Sequence, residues 1–435
     1  MPRSLFLLLL LIPTLALAEP AQLRIQGSNT IGAALAPALV LGLLQAQGAT
    51  SIAHSPRAVP NEIDMFAEDA KGLPIRISIA AHGTSTGFTA LGKNEADLAA
   101  ASRPISGDEA EHLRGLGDLH STHSEQVIGL DGVAVIVHPD NPLTMLTTEQ
   151  LAQVFSGQVQ RWEQLGVPGG AIRLYARDDR SGTFETFKAL VLEAYHARLS
   201  PQTLRFESSD ELAEQVQTDR RAIGFSSLAT AHGAKVLAIA EGDAPALLPS
   251  RALVASEDYP LTRRLYFYLP GNPAPLARAL AEFAQTPAGQ TIVAEQGFVS
   301  QQVKALTVAG QADMPPRYRN LASQAQRLTV NFRFQPGSAS LDNKALRDIG
   351  RVVDYLRQAG KLQSMAVLVG FGDPKDTPGR AALLSRLRAM AVRRELARAG
   401  VEVKEVAGMG DELPVADNDQ QQGRLRNQRV EVWVY

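Results

Sequence analysis

Between Leu23 and about Ser300 the chain alternates short apolar runs with stretches whose apolar residues recur every three or four positions. LRIQG, IRISIAAHG, VAVIVH, IRLYAR, RRAIGFSS and RRLYFYL read as strands. IGAALAPALVLGLLQ, FETFKALVLEAY and PLARALAEFAQ read as helices, as does LTTEQLAQVFSG, where Thr147 or Thr148 supplies an N-cap. This alternation constrains the fold more than any other feature, because strands separated by helices specify α/β layers.

The pattern breaks at residues 306–326, which end in DMPPRYRNLASQAQ, carry a proline pair and hold few apolar residues. This stretch is expected to be a linker. A smaller pattern follows over residues 327–435. LTVNFRF alternates as a strand, DNKALRDIGRVVDYLRQ has helical spacing and MAVLVGFG is a buried strand. ALLSRLRAMAVRRELARAG is an amphipathic helix, and QRVEVWVY closes as a strand. A length of 435 residues suits two or three domains. Charge divides with the pattern: residues 19–325 carry 24 basic and 32 acidic residues, whereas 326–435 carry 18 and 13. Neither part is basic enough to suggest nucleic acid.

The N-terminus MPRSLFLLLLLIPTLALAEP has a basic residue, Arg3, then the apolar run Leu5 to Leu11 and the small-residue motif Ala16-Leu17-Ala18. Residues 1–18 are therefore expected to be a signal peptide. The chain has no cysteine. That excludes disulfides, thiolate metal sites and a lipid-anchoring cysteine, so a soluble periplasmic protein is expected.

Three loops in the first part share one design. Gly27-Ser28-Asn29-Thr30, His82-Gly83-Thr84-Ser85-Thr86-Gly87 and the stretch from Arg177 to Thr183 each follow a strand and open a helix. Helix starts have unpaired N–H donors, and small hydroxyl residues let an anion reach them. One such loop is ordinary N-capping. Three in one domain, with Arg103 and Arg177 close in sequence, point to an anion held by local dipoles rather than by net charge.

Residues 22–300 resemble the periplasmic phosphate-binding proteins of ABC transporters. The resemblance is carried in family order by IQGSNT, HGTSTGFTAL, AAASRPIS, GLDGVAVIVHPDNP, LTTEQLAQVFSGQVQRWEQLG, RDDRSGTFETF, AIGFSS, YPLTRRLYFYL and FAQTPAGQTIVAEQGFVS. It implies an α/β, two-lobed type II periplasmic-binding-protein fold over residues 19–305, with crossovers near 129–137 and 259–269. Lobe one would comprise residues 22–130 and 262–305, with lobe two between them. It also implies inorganic phosphate in the interlobe cleft, an ABC permease as a partner, and no cofactor or metal. The implied ligands are Ser28 and Thr30; Thr84, Ser85 and Thr86; Arg103; and Arg177, Ser181, Gly182 and Thr183. Where well-known members of that family carry an aspartate that accepts the proton of hydrogen phosphate, this chain has Ser102-Arg103. Asp178 is a candidate substitute or an exposed loop acid. Arg180 replaces a usual glycine. Sulfate or another anion, or a structural envelope protein with a degenerate cleft, are the competing readings.

Residues 327–435 resemble the OmpA-like peptidoglycan-binding domain, a small α+β (βαβαβ-type) fold. VNFRFQPGSASLDNKA, VLVGFGD, LLSRLRAMAV and GRLRNQRVEVWV carry the resemblance. It implies that Asp373 and Arg388 bind the ammonium and carboxylate of diaminopimelate in the peptide stem, with Asn427 near the pocket. The resemblance also implies attachment to the cell wall or outer membrane. Arg424, Arg426 and Arg429 are expected to be structural, and the loop PKDTPGRAA departs from the family pattern. The eight histidines are scattered. His120 and His123 form an H-x-x-H pair without an acidic partner motif. With no Gly-x-Ser-x-Gly elbow and no P-loop in the sequence, a binding protein rather than an enzyme is expected.

Overall fold

The computed structural model describes residues 21–435 apart from Arg180, Glu207, His232 and Pro378. The expected signal peptide, Arg180 and His232 lie outside the described residues. Two long strands organise the first part. Glu125–Val137 pairs antiparallel with Thr262–Tyr268 as far as Gly132, and from Val133 it pairs with Ala222–Ser227. One strand thus changes neighbours at Gly132/Val133, and the chain passes there from one lobe to the other. Every residue from Gln126 to Val137 is buried, as a strand covered on both faces requires.

On one side of this junction lie Leu98–Ala101, Ala21–Gly27, Pro74–Ala81, Glu62–Glu68 and Thr50–Pro56 in that order. On the other lie Ala222–Ser227, Arg173–Arg177 and Leu204–Phe206. Each lobe has its own core. Leu23, Ile25, Leu39, Ile77 and Leu280 belong to the first, and Phe155, Trp162, Phe187, Phe225 and Tyr259 to the second. Phe187 and Phe225 stack with centroids 3.9 Å apart. Burying each such side chain contributes about 1.5–3 kcal/mol.

The C-terminal part is a five-stranded sheet in the order Ala305–Leu306, Gln326–Phe332, Val430–Val434, Gln363–Gly370 and Glu402–Gly408. Helices Asn343–Gln358 and Arg380–Arg398 cover one face around Leu328, Val352, Leu368 and Val392. The expected linker at 306–326 needs correction. It carries helix Pro316–Gln324, whose Tyr318, Leu321 and Ala322 pack with Phe371 and Trp433 on the other face of the sheet. Few apolar residues suffice there because they fall at helical spacing on one stripe. The strand Ala305–Leu306 already pairs with Gln326–Phe332. No helix among the described residues is long and apolar enough to cross a membrane.

Candidate functional site

Ala21–Gly27 lies between Pro74–Ala81 and Leu98–Ala101, all three parallel, with Gly27 level with Ala81 and Ala100. Their C-terminal ends therefore finish on one edge, where ligands bind in open α/β sheets. Ser28, His82 and Ser102 follow those ends directly. The loops are tied together: Gly27 O accepts from the His82 and Gly83 amides at 2.9 and 2.8 Å, and Ser28 N–H donates to Ala100 O at 2.8 Å. Gly27 adopts φ +136°, and a Cβ there would lie 2.0 Å from Ala100 O, so only glycine fits.

The hydroxyls of these loops differ in availability. The Ser28 side chain is fully buried, and its Oγ has no hydrogen-bond partner among the described residues. Leaving a buried hydroxyl unpaired costs about 1–3 kcal/mol, a cost that an incoming acceptor or donor removes. Thr84 is also buried; its Oγ1 lies 3.2 Å from Ser102 Oγ and accepts from Ser102 N–H at 3.1 Å. Thr86 is exposed and its hydroxyl donates back to Gly83 O at 2.8 Å. Ser85 Oγ accepts from Arg103 at 3.0 Å. Arg103 itself is held by both carboxylate oxygens of Glu109 at 2.8 Å, and this pairing with Glu109 raises its pKa despite partial burial. The second loop thus offers its hydroxyls with a guanidinium already committed to an acid.

In lobe two, Arg173–Arg177 runs parallel to Ala222–Ser227 and Leu204–Phe206. Arg177 sits at its C-terminal end, where its guanidinium donates to Phe206 O at 3.3 Å and to Ser209 Oγ. Burial pushes the Arg177 pKa down, against the opposing pull of Asp178 and Asp210. Ser181 caps the short helix Gly182–Phe187 by accepting from Phe184 N–H at 3.4 Å.

The lobes touch at Gly182 and Thr30. A Cβ on Gly182 would lie 1.1 Å from Thr30 Oγ1 and 3.0 Å from its Cα. The cleft is therefore closed, and the glycine is required by proximity. Arg263 bridges the contact, donating to Gly182 O at 2.5 Å and to Thr30 Oγ1 at 2.9 Å while pairing with Asp131 at 2.8 Å. Arg263 and Asp131 are both almost fully buried.

Around this contact are two cavities. Thr30, Asp131, Arg177, Asp178, Ser181 and Thr183 help line one of about 390 Å³. Ser85, Ser102, Arg103 and Glu185 help line another of about 650 Å³. The first and third loops expected from sequence thus share a cavity, and the second opens on its neighbour. Two groups were missed. Arg263 was legible only as half of an arginine pair interrupting an apolar strand. Glu185, read simply as a helix residue after Thr183, reaches from lobe two to lobe one. Ser102 Oγ donates to its carboxylate at 3.1 Å, and Glu185 Oε1 lies 3.6 Å from the place a Cβ on Gly83 would occupy. A carboxylate thus sits against the second hydroxyl loop.

In the C-terminal domain, Asp373 is buried and accepts from Lys375 at 2.5 Å and from Gln428 at 2.9 Å. Burial raises its pKa, but these partners outweigh burial and hold it below the usual range. Arg388 lies over Phe334, 5.9 Å from the ring centroid; burial lowers its pKa and Asp373 opposes that shift. Acid and base therefore lie within electrostatic reach of each other. Asn427 has a different role from the one expected. It is fully buried, its Oδ1 accepts from Val415 and Ala416 amides, and its Nδ2 donates to Ala416 O and Asn418 Oδ1. All four of its hydrogen-bonding positions hold the 415–418 loop, leaving none for a ligand.

Comparison with known families matches residues 28–288 to the PBP superfamily domain and residues 333–428 to the OmpA family. Protein SphX of Synechococcus elongatus is 29% identical over 282 residues, covering 62% of this chain and 80% of that protein. The phosphate-binding protein PstS of Pseudomonas aeruginosa is 28% identical over 301 residues, covering 63% and 90%. The crystal structure of an ABC-type phosphate transport receptor from Vibrio cholerae matches with a TM-score of 0.50 at 22% identity, covering 64% of this chain and 99% of that one. At that identity the match speaks to the fold.

Proposed function

The chain belongs to the PBP superfamily, whose domain its residues 28–288 match, and from that premise we propose that it is a periplasmic receptor for inorganic phosphate, tethered to peptidoglycan by its C-terminal domain. It captures the anion between the lobes with the Ser28, Thr30, Thr84, Ser181 and Thr183 hydroxyls and the Arg177 guanidinium, and serves an ABC-type uptake system. The named relative from Pseudomonas aeruginosa supports the ligand class.

The observation that favours phosphate over sulfate is Glu185 against Ser102 and Gly83 at the second hydroxyl loop, on the cavity adjoining the one lined by Thr30, Arg177, Ser181 and Thr183. A carboxylate beside a fully ionised sulfate repels it, with no proton to share. Hydrogen phosphate brings a proton that the carboxylate accepts, so the same group rejects one anion and pairs with the other. Calorimetric titration of the purified protein tests this. Phosphate is expected to bind with Kd below about 1 µM, near −8 kcal/mol, and sulfate not to compete. Thr183→Ala is expected to weaken phosphate roughly 10- to 150-fold, the loss of one hydrogen bond to a charged group. Glu185→Gln is expected to narrow the phosphate-to-sulfate ratio by at least roughly tenfold. Binding of neither anion by the wild type would leave the competing reading of a wall-bound structural protein.

The tether rests on Asp373 and Arg388. Asp373 suits an ammonium and Arg388 a carboxylate, the two charges that a diaminopimelate side chain presents. Co-sedimentation with purified cell-wall sacculi should retain the wild type, and Asp373→Ala should release most of it. Retention of the variant at wild-type level would remove the site.

A further inference from the structure

The C-terminal domain grips the first part at both lobes and at the segment between them. On lobe one, Asn343 Nδ2 donates to His120 O at 2.7 Å and to Glu125 at 3.1 Å; Arg347 donates to Thr122 O at 2.8 Å and Arg351 to Gln285 at 2.5 Å. On lobe two, Arg426 pairs with Glu241. Between them, Arg426 donates to Pro260 O at 3.0 Å, Arg333 to Glu257 O at 3.0 Å, and Arg264 pairs with Asp342 at 2.8 Å. Asn331 Nδ2 donates to Ser256 O and Asp258, both at 2.8 Å, and Arg327 pairs with Asp258 at 2.6 Å. These contacts flank the return of the chain at 259–262, beside the point where Glu125–Val137 changes neighbours.

We propose that the C-terminal domain is a strap that holds the two lobes closed. A rigid body bonded to both sides of a hinge resists rotation in either direction, and the state it spans here has Gly182 against Thr30. The strand-and-helix packing of the domain makes it such a body, with its own core. Opening the cleft must therefore break either the lobe-one set of Asn343, Arg347 and Arg351 or the contacts that Arg327, Asn331, Arg333 and Arg426 make with residues 241–260. Lobe opening and domain docking become one equilibrium, and any group that loosens the dock favours the open state. The route to the candidate peptide pocket is short. Gln428 touches Asp373, while Arg426, two residues earlier, touches Glu241 and Pro260. Residues 426–428 thus have one contact on the pocket and others on the hinge.

The absence of cysteine from the sequence permits a clean distance measurement. Lys93→Cys and Gln202→Cys place one spin label on each lobe at exposed positions. In this background the Asn343→Ala/Arg347→Ala pair removes two lobe-one anchors and touches no proposed anion ligand. The strap predicts a longer and broader interlobe distance without added anion, and roughly tenfold faster release of inorganic phosphate. Far-ultraviolet circular dichroism and thermal melting check that the variant is folded. Identical distance distributions in variant and parent would overturn the strap, whatever happens to phosphate release. The release arm rests on the phosphate reading above, whereas the distance arm does not. A changed distance in a protein that binds no phosphate would retain the strap and sink the ligand.

Discussion

Gly182→Ala is expected to weaken phosphate binding roughly 10- to 100-fold while leaving each lobe folded. The added methyl would lie 1.1 Å from Thr30 Oγ1 in the closed cleft. Rotating Thr30 does not clear it, because Thr30 Cβ and Cα lie 2.4 and 3.0 Å from the same point. Overpacking of this kind costs about 1–3 kcal/mol, about 5- to 140-fold at 1.4 kcal/mol per tenfold, and the stated range is the middle of that span. That cost falls on the closed state alone, since Gly182 and Thr30 separate when the lobes part. A ligand that needs closure pays it through its apparent affinity. Titration with phosphate, together with the radius of gyration from solution scattering, reads both halves. Unchanged affinity would mean that the Gly182–Thr30 contact is not part of the bound state.

The second large effect is expected at the interdomain dock. Asp258 is buried; its Oδ2 is met by Arg327 at 2.6 Å, and its Oδ1 by Arg333 at 3.6 Å, Arg429 at 3.9 Å and the Asn331 amide at 2.8 Å. Asp258→Ala removes the carboxylate that these three cations share, leaving Arg327 and Arg429 to Glu431 and Arg333 to Glu257. Breaking one side of a buried ion pair costs about 3–5 kcal/mol. Adding Arg327→Met should recover part of that loss, because removing both partners is far cheaper than removing one. Chemical denaturation of the single and double variants measures the difference. Equal destabilisation in both would mean that Asp258 acts through packing rather than charge.

The same network sets a pH dependence. Burial raises the Glu257 carboxyl, but Arg264, Lys344 and Arg333 outweigh it and bring its pKa down to about 2. Asp258 is likewise raised by burial and lowered further by Arg327, Arg429 and Arg333. Both folded values lie below the unfolded ones, so the unfolded chain binds more protons as pH falls. Their contribution is fully present above the ordinary carboxylate range near 4 and is lost as pH drops toward about 2. Acid titration of the wild type should therefore show the dock failing below about pH 4, and Asp258→Ala should lack the share that Asp258 carries while Glu257 keeps its own.

The first site loops were readable because their signal is local. Ser28, Thr84 and Ser181 each follow a strand within a few residues, and small hydroxyl residues at such turns have few uses. The alternation of strands and helices likewise carried the α/β reading, since each element declares its period over five to fifteen residues. Helix Pro316–Gln324 escaped because its apolar stripe is only Tyr318, Leu321 and Ala322. Its surroundings are prolines and charges that resemble a linker. Asn427 was expected near the pocket from the family resemblance, but its amide is consumed by the 415–418 loop.

What the sequence determined by itself was chemistry carried by neighbours: the α/β alternation, the change of pattern and charge near residue 326, and the three hydroxyl loops; Asp373 and Arg388 were singled out only through the family resemblance. What only the tertiary structure decided were contacts between distant residues. Arg263 meets Thr30 across 233 positions, and Ser102 meets Glu185 across 83. Asn343 reaches His120 across 223. No periodicity or spacing marks such partners, because they are chosen by which strand ends share an edge and which faces close on each other. The composition of the cleft was therefore legible, whereas its closure, its carboxylate and the domain laid across its hinge were fixed by how the lobes pack.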